Sequence, residues 1–295
     1  MMRTQGKELD ERLDKAGNMI RGSTSLIAHI GFPTHTFKSP MIYNPYFEQS
    51  GIDAIVVPMG CQAPHYAPLL RSLFQLTNIC GALITMPHKI STLDLVDVAS
   101  PTARIAGACN AVRLRDDGRL MGDMFDGEGF VRGVRGKGLS LPGKRALVIG
   151  CGGVGSAIAA SLAAAEVSMI GLFDMQATAA EALSGRLHRH YPLVALTTGS
   201  NDPAGYDLVV NASPLGMLDD DPLPLDVARL DPATFVGEVV MKNELTPFLQ
   251  AAMARGCPVQ VGSDMLFEQI PAYLEFFGLP TTTPDNLRAV AQLTY

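Results

Sequence analysis

The sequence predicts an α/β protein built of two domains, and three observations carry the prediction. Short apolar runs alternate with helical segments along most of the chain, the pattern of mostly parallel sheets with helices on both faces. The glycine phrase Gly150, Cys151, Gly152, Gly153, Val154, Gly155 follows the apolar run 145–149 and opens the small-residue run 156–165, in the order strand, turn, helix. At 295 residues the chain exceeds one average domain. The boundaries read as an extension over 1–23, a first α/β domain over 24–125 completed by 263–295, and a Rossmann domain over 126–262.

Residues 25–30 read as the first strand, and 31–40 as the loop leaving its C-terminal end, where ligands of open parallel sheets collect. Ser39 before Pro40 predicts a hydroxyl-capped helix start. Pro45, inside the helical run 41–49, predicts a kink or an early end. Strand 54–57, helix 63–76, strand 81–85 and helices at 91–98 and 101–105 continue the alternation. Strands 110–115 and 119–124 flank the turn Asp116, Asp117, Gly118, a hairpin signal. The glycine-rich stretches 122–129 and 132–143 read as the domain boundary. A second alternating series then runs to a last strand at 258–261. Helices 264–277 and 284–293 have no strand partners of their own and are expected to fold back onto the first domain.

In the glycine phrase, Gly150 fits the tight turn, Gly152 the close approach to a pyrophosphate, and Gly155 the packing of helix on sheet. The pyrophosphate would rest on free N–H groups at the helix start, with no basic side chain required. The next apolar run ends at Asp174, about 20 residues past the glycines, where an acceptor for a ribose 2′-hydroxyl belongs. Its carboxylate would repel a 2′-phosphate, and Met175 to Thr178 holds no Arg or Lys. NAD is therefore the cofactor expected, in preference to NADP.

A formal net charge of −6 with a pI near 5.5 argues against a nucleic-acid surface. Apolar runs are short and broken by Gly, Pro or charge, so no membrane span is expected. Five cysteines without C-x-x-C spacing suggest neither a disulfide frame nor a zinc ribbon and fit a reducing cytoplasm. The histidines form no H-E-x-x-H set, so no metal site is expected; His35 and His88 read equally well as hydrogen-bonded loop residues.

Six phrases carry a more specific signal: Thr85-Met-Pro-His-Lys89, Gly107-Ala-Cys-Asn-Ala111, Phe125-Asp-Gly-Glu-Gly129, Asn211-Ala-Ser-Pro-Leu-Gly-Met217, Thr246-Pro-Phe-Leu249 and Met265-Leu-Phe-Glu-Gln269. In order and spacing they resemble the motifs of the shikimate/quinate dehydrogenase family, from residue 25 to the C-terminus. The resemblance implies hydride transfer between a nicotinamide and a secondary alcohol or carbonyl of a cyclic hydroxy acid. It makes Lys89 the proton-transfer group and Asp126 its polarising partner. It also implies substrate contacts from Ser39, Thr85, Asn110, Asp126 and Gln269, and cofactor contacts from the glycine phrase, Asp174, Met175, Asn211, Ser213, Met217, Gly262 and Met265. A small-molecule substrate is the partner implied, and a homodimer is compatible with it.

Six positions depart from the family pattern. Phe37 stands for a serine, Leu83 for an asparagine, Ala111 for a threonine, Met124-Phe125 for Asn-Thr, and Met241 for a tyrosine. The pocket is expected to keep its chemistry and lose polarity at its rim, with Lys38 available for a substrate carboxylate, or the ligand itself less polar. Two rival readings remain open: a dinucleotide or ligand sensor without turnover, and an NADP-linked shikimate dehydrogenase, disfavoured only by the sequence around Asp174.

Overall fold

The computed structural model describes residues 20–218 and 220–293, so the extension read at 1–23 lies largely outside the described residues. Two six-stranded sheets organise the chain. The first holds β1 (Ser25–Gly31), β2 (Ala54–Gly60), β3 (Ile79–Ile84), β4 (Val98–Ala99), β5 (Ala111–Leu114) and β6 (Leu120–Asp123), ordered β2-β1-β3-β5-β6-β4. It is parallel at β2-β1-β3 and at β4-β6, and antiparallel at β3-β5 and β5-β6. Gly118, at φ +78°, turns the β5-β6 hairpin as the Asp-Asp-Gly sequence predicts. The first helices are α1 (Pro40–Gln49), α2 (Ala63–Leu73), α3 (Lys89–Leu93) and α4 (Pro101–Ala106). Pro45 lies within α1 without shortening it.

The second sheet is parallel throughout: β7 (Arg145–Ile149), β8 (Met169–Phe173), β9 (Ala195–Thr198), β10 (Leu208–Asn211), β11 (Phe235–Glu238) and β12 (Val259–Gln260), ordered β12-β11-β10-β7-β8-β9. Its inner strands β7, β8 and β10 are rich in Val, Ile and Leu and buried because both faces are covered, whereas the edge strand β9 is mostly exposed. Helix α5 (Asp126–Gly136) leads into this sheet, and α6 (Gly153–Ala164), α7 (Ala177–His190) and α8 (Pro247–Ala254) cross it.

Two stretches differ from the sequence reading. Residues 91–98 do not form one helix: α3 starts at Lys89 and stops at Leu93, and Val98–Ala99 pairs with β6 instead. Tertiary pairing overrides the helical pattern there. The glycine-rich boundary 122–136 contains α5, a regular helix whose glycines serve packing. A Cβ on Gly127 would stand 2.1 Å from the Ala157 carbonyl oxygen, and one on Gly129 would stand 2.6 Å from the Met265 carbonyl oxygen. Backbone-to-backbone approach of α5 to its neighbours therefore requires glycine at both sites.

The C-terminal helices α9 (Gly262–Phe277) and α10 (Pro284–Val290) return to the first sheet as expected. Phe267, Ile270, Leu274, Phe277 and Leu287 are buried with Ile27, Ile42, Phe47 and Leu83 in one core. The ring of Phe277 fills the space that a side chain at Gly81 would need. Helix α9 also packs on α5, so both elements join the two sheets.

Candidate active site

Parallel pairing of β1 with β3 brings their C-terminal ends to one edge, and the loops leaving them build one side of a cleft. After Ile84 the chain turns, the His88 N–H bonding the Thr85 carbonyl at 2.9 Å, and α3 begins with Lys89. His88 anchors this turn: it is buried, stacks on Tyr66 with centroids 4.0 Å apart, and places Nε2 at 2.8 Å from the Cys61 carbonyl oxygen. It is thus the hydrogen-bonded loop residue of the plainer reading. The Lys89 carbonyl accepts the Cys109 N–H at 2.8 Å, which fixes the backbone below the amine.

Lys89 Nζ donates to Asp126 Oδ2 at 2.7 Å; the lysine side chain is 24% exposed and the aspartate 6%. Asp126 is the first residue of α5. Its other oxygen, Oδ1, accepts from Asn110 Nδ2 at 2.9 Å, while Asn110 Oδ1 accepts the Phe125 N–H at 2.9 Å. Asn110 is therefore the clamp that sets the carboxylate. Each end of its amide makes one bond within the protein, and the residue also lines the cavity into which the pair opens.

The pair opens into a cavity of about 550 Å³ between the two sheets. Ser39, Thr85, Lys89, Asn110, Asp126 and Gln269 line it, as do Gly153, Val154 and Met265. Nine of the residues singled out in the sequence thus meet around one space. Ser39 precedes α1, but its side chain makes no cap bond, contrary to the sequence reading, and the residue lines the cavity.

The glycine loop fits a dinucleotide. Gly150 adopts φ +94°, and a Cβ there would stand 2.7 Å from the Ala212 carbonyl; one on Gly155 would stand 1.9 Å from the Gly150 oxygen. Gly152 and Gly153 have nothing within 4 Å of a built Cβ, which leaves an open cradle at the N-terminus of α6. The remaining cofactor candidates are spread over several elements: Asp174 and Met175 follow β8, Asn211 ends β10 with Ser213 and Met217 in the loop after it, and Gly262 and Met265 lie in the first turn of α9. Asn211 is fully buried and spends its amide on Glu238, Leu215 and Ser213, so it shapes the loop after β10. Met175 and Met217 are exposed. Gly262 admits the Val240 carbonyl oxygen, which would stand 2.2 Å from a Cβ. The thiol of Cys151 is buried and pushed up to about 12 by burial and by Asp174, which leaves it unreactive.

Residues 29–112 match the shikimate dehydrogenase substrate binding domain. The shikimate dehydrogenase (NADP(+)) of Paramagnetospirillum magneticum is 34% identical over 274 residues, covering 92% of this chain and 99% of its own. The chain belongs to the shikimate/quinate dehydrogenase family. A shikimate 5-dehydrogenase from Listeria monocytogenes, solved with shikimate and NAD, superposes with a TM-score of 0.85 at 26% identity, over 94% of this chain and 99% of that one. The Thermus thermophilus enzyme, solved with NADP(H) and shikimate, gives 0.79 at 27%, over 91% and 99%. The family places this chain among oxidoreductases that transfer hydride to and from cyclic hydroxy acids.

The preference for NAD is overturned. Eight curated relatives, at 31 to 34% identity, are all named for NADP(+). The structure supplies the physical reason the inference from Asp174 misleads. Asp174 Oδ2 accepts the Cys151 N–H at 2.8 Å and Oδ1 accepts the Gln176 N–H at 2.9 Å. Its carboxylate ties the glycine loop to the end of β8, a local role that explains an acid at this position without any ribose.

The six departures divide into two groups. Phe37, Leu83 and Met241 line the cavity, so its wall is apolar where the family pattern is polar. Ala111 and Met124 are buried in the core, and Phe125 packs on Tyr273 and Phe276 at 4.9 and 5.3 Å, so these three stand behind the cavity wall. Sequence reasoning passed over His29, Tyr43 and Tyr273, which also line the cavity. A lone histidine near the C-terminal end of an apolar strand was the one available signal for His29.

Proposed function

We propose that this chain is an NADP-linked dehydrogenase that interconverts a ring secondary alcohol and its ketone on a shikimate- or quinate-like hydroxy acid. One observation carries the reading: the cavity that holds the Lys89–Asp126 pair is also lined by Gly153 and Val154 of the glycine loop. An amine and a dinucleotide cradle thus share one space, as hydride transfer coupled to proton transfer requires.

In this reading the glycine loop and the start of α6 hold the pyrophosphate, and the nicotinamide supplies the hydride exchange. Lys89 Nζ removes the hydroxyl proton during oxidation; during reduction it stabilises the developing alkoxide charge and returns the proton. Asp126 keeps the amine on the reacting oxygen, and Asn110 keeps Asp126 in place. Ser39, Thr85 and Gln269 bind ring substituents. A substrate domain of residues 24–125 and 263–295 then closes on a dinucleotide domain of 126–262. The turn Met175–Gln176 is exposed and uncharged, and the two backbone amides that donate to Asp174 offset part of the charge its carboxylate presents to a 2′-phosphate.

Absorbance at the reduced-nicotinamide band, with shikimate and quinate and with each dinucleotide, tests the proposal. Reduction of NADP+ by either acid supports it. Binding of NADP+ without turnover of either acid would favour the sensor reading instead.

A further inference from the structure

Among the described residues, five buried side-chain nitrogen or oxygen atoms have no hydrogen-bond partner, and three of them belong to residues that line this same cavity: His29 Nδ1, Tyr43 Oη and Gln269 Oε1. Unpaired buried polar atoms are uncommon because each forfeits its hydration without compensation. Three at one cavity wall point to a ligand that completes them. Gln269 is already a substrate-contact candidate; His29 and Tyr43 are not.

Their placement follows from the fold. His29 lies opposite Leu83 in the β1-β3 register, two residues above Ile27, which is buried in the core. The cavity floor therefore begins where the core ends. Phe37 stacks on the imidazole with ring centroids 4.0 Å apart and planes 22° apart, which fixes the ring. Tyr43 reaches the same floor from α1, with its ring edge-on to Phe47. His29 is 7% exposed and Tyr43 1%.

The floor carries no charge. Burial, with the positive charge of Lys89, lowers the imidazole to about 4, and burial pushes the phenol well above its ordinary range. A neutral imidazole and a phenol each both donate and accept, so a hydroxyl can use both capacities, whereas a carboxylate would use only their donors and leave the acceptors unmet. The cationic Lys38 and the hydroxyl-bearing Ser39 line the same cavity.

We propose that His29 and Tyr43 form a neutral recognition subsite on the cavity floor, which binds an uncharged hydroxyl or carbonyl substituent of the substrate ring and sets specificity. The subsite rests on the reading that a cyclic hydroxy acid occupies this cavity. A carboxylate on the same ring then faces Lys38 and Ser39.

The test is calorimetric titration of the NADP+-loaded protein with shikimate and with quinate, alongside melting temperatures of the ligand-free protein. His29→Phe keeps the stack on Phe37, and Tyr43→Phe removes one oxygen without opening a cavity. Each variant is expected to weaken binding of at least one of the two acids about tenfold. Each is also expected to leave the ligand-free melting temperature unchanged or higher at pH 7, because an unpaired buried polar atom has been removed. A residue with a merely structural role would lose stability instead. Affinity within twofold of wild type for both acids, or weaker binding with a lower melting temperature, overturns the subsite. If the wild-type protein binds the acids but oxidises neither, the dehydrogenase reading fails and the subsite is still tested by the same titrations. If it binds neither yet oxidises another ring alcohol, the subsite for this ligand class fails and the dehydrogenase reading stands.

Discussion

Asn110 donates to Asp126 Oδ1 at 2.9 Å, which leaves Oδ2 to receive Lys89. A carboxylate held from both sides has little freedom to rotate. The Lys89 amine is thus oriented by a clamp that begins on the β3-β5 side of the first sheet and ends at the first turn of α5.

Removing the clamp should separate positioning from chemistry. Asn110→Ala leaves Asp126 Oδ1 and the Phe125 N–H without their buried partners, a loss of about 1 to 3 kcal/mol in stability. Turnover should fall about tenfold or more while Lys89 is still present. Thermal melts and steady-state kinetics on the same preparation check both. Asn110→Ala with unchanged turnover would show that Asp126 needs no such support.

Acid should destabilise the protein partly through His29. Its pKa is about 4 in the fold against an ordinary 6.5, so the unfolded chain takes up the proton first as the pH falls. The contribution is complete above about pH 6.5, declines between 6.5 and about 4, and is constant below that. It amounts to about 3 kcal/mol across the window. His29→Phe should flatten this part of the melting-temperature profile, and a profile parallel to wild type would contradict the assignment.

The glycines of α5 give a paired prediction. Gly127→Ala drives a methyl group into the Ala157 carbonyl, a backbone atom that cannot swing aside. It should destabilise by about 1 to 3 kcal/mol or more and, by moving the adjacent Asp126, lower turnover. Gly136→Ala, in the same helix with open space around it, should be neutral or stabilising by up to about 1 kcal/mol. Chemical denaturation of the two variants decides; equal effects would mean that α5 is not packed as described.

Much of this was legible in the sequence because several local signals agreed. The glycine phrase between strand and helix fixed the second sheet, and the six phrases located Lys89, Asp126 and Asn110, which the structure joins in one network. What was not legible depended on contacts between distant segments. The glycines of α5 read as a linker because their reason is the backbone of α6 and α9, which the linear sequence does not place beside them. Asp174 read as a vote for NAD because the amides of Cys151 and Gln176 that hold it become visible only in three dimensions. His29 read as a strand residue, since nothing local reveals that Phe37 stacks on it at a cavity floor.

The central claim is that Lys89 moves the proton while hydride passes to or from the dinucleotide. Its most direct test is the rate of NADP+ reduction by shikimate or quinate in the wild-type protein and in Lys89→Ala, with dinucleotide binding measured in both. The account predicts intact NADP+ binding in the variant and a rate lower by about 100-fold or more. A variant that reduces NADP+ at the wild-type rate would contradict it.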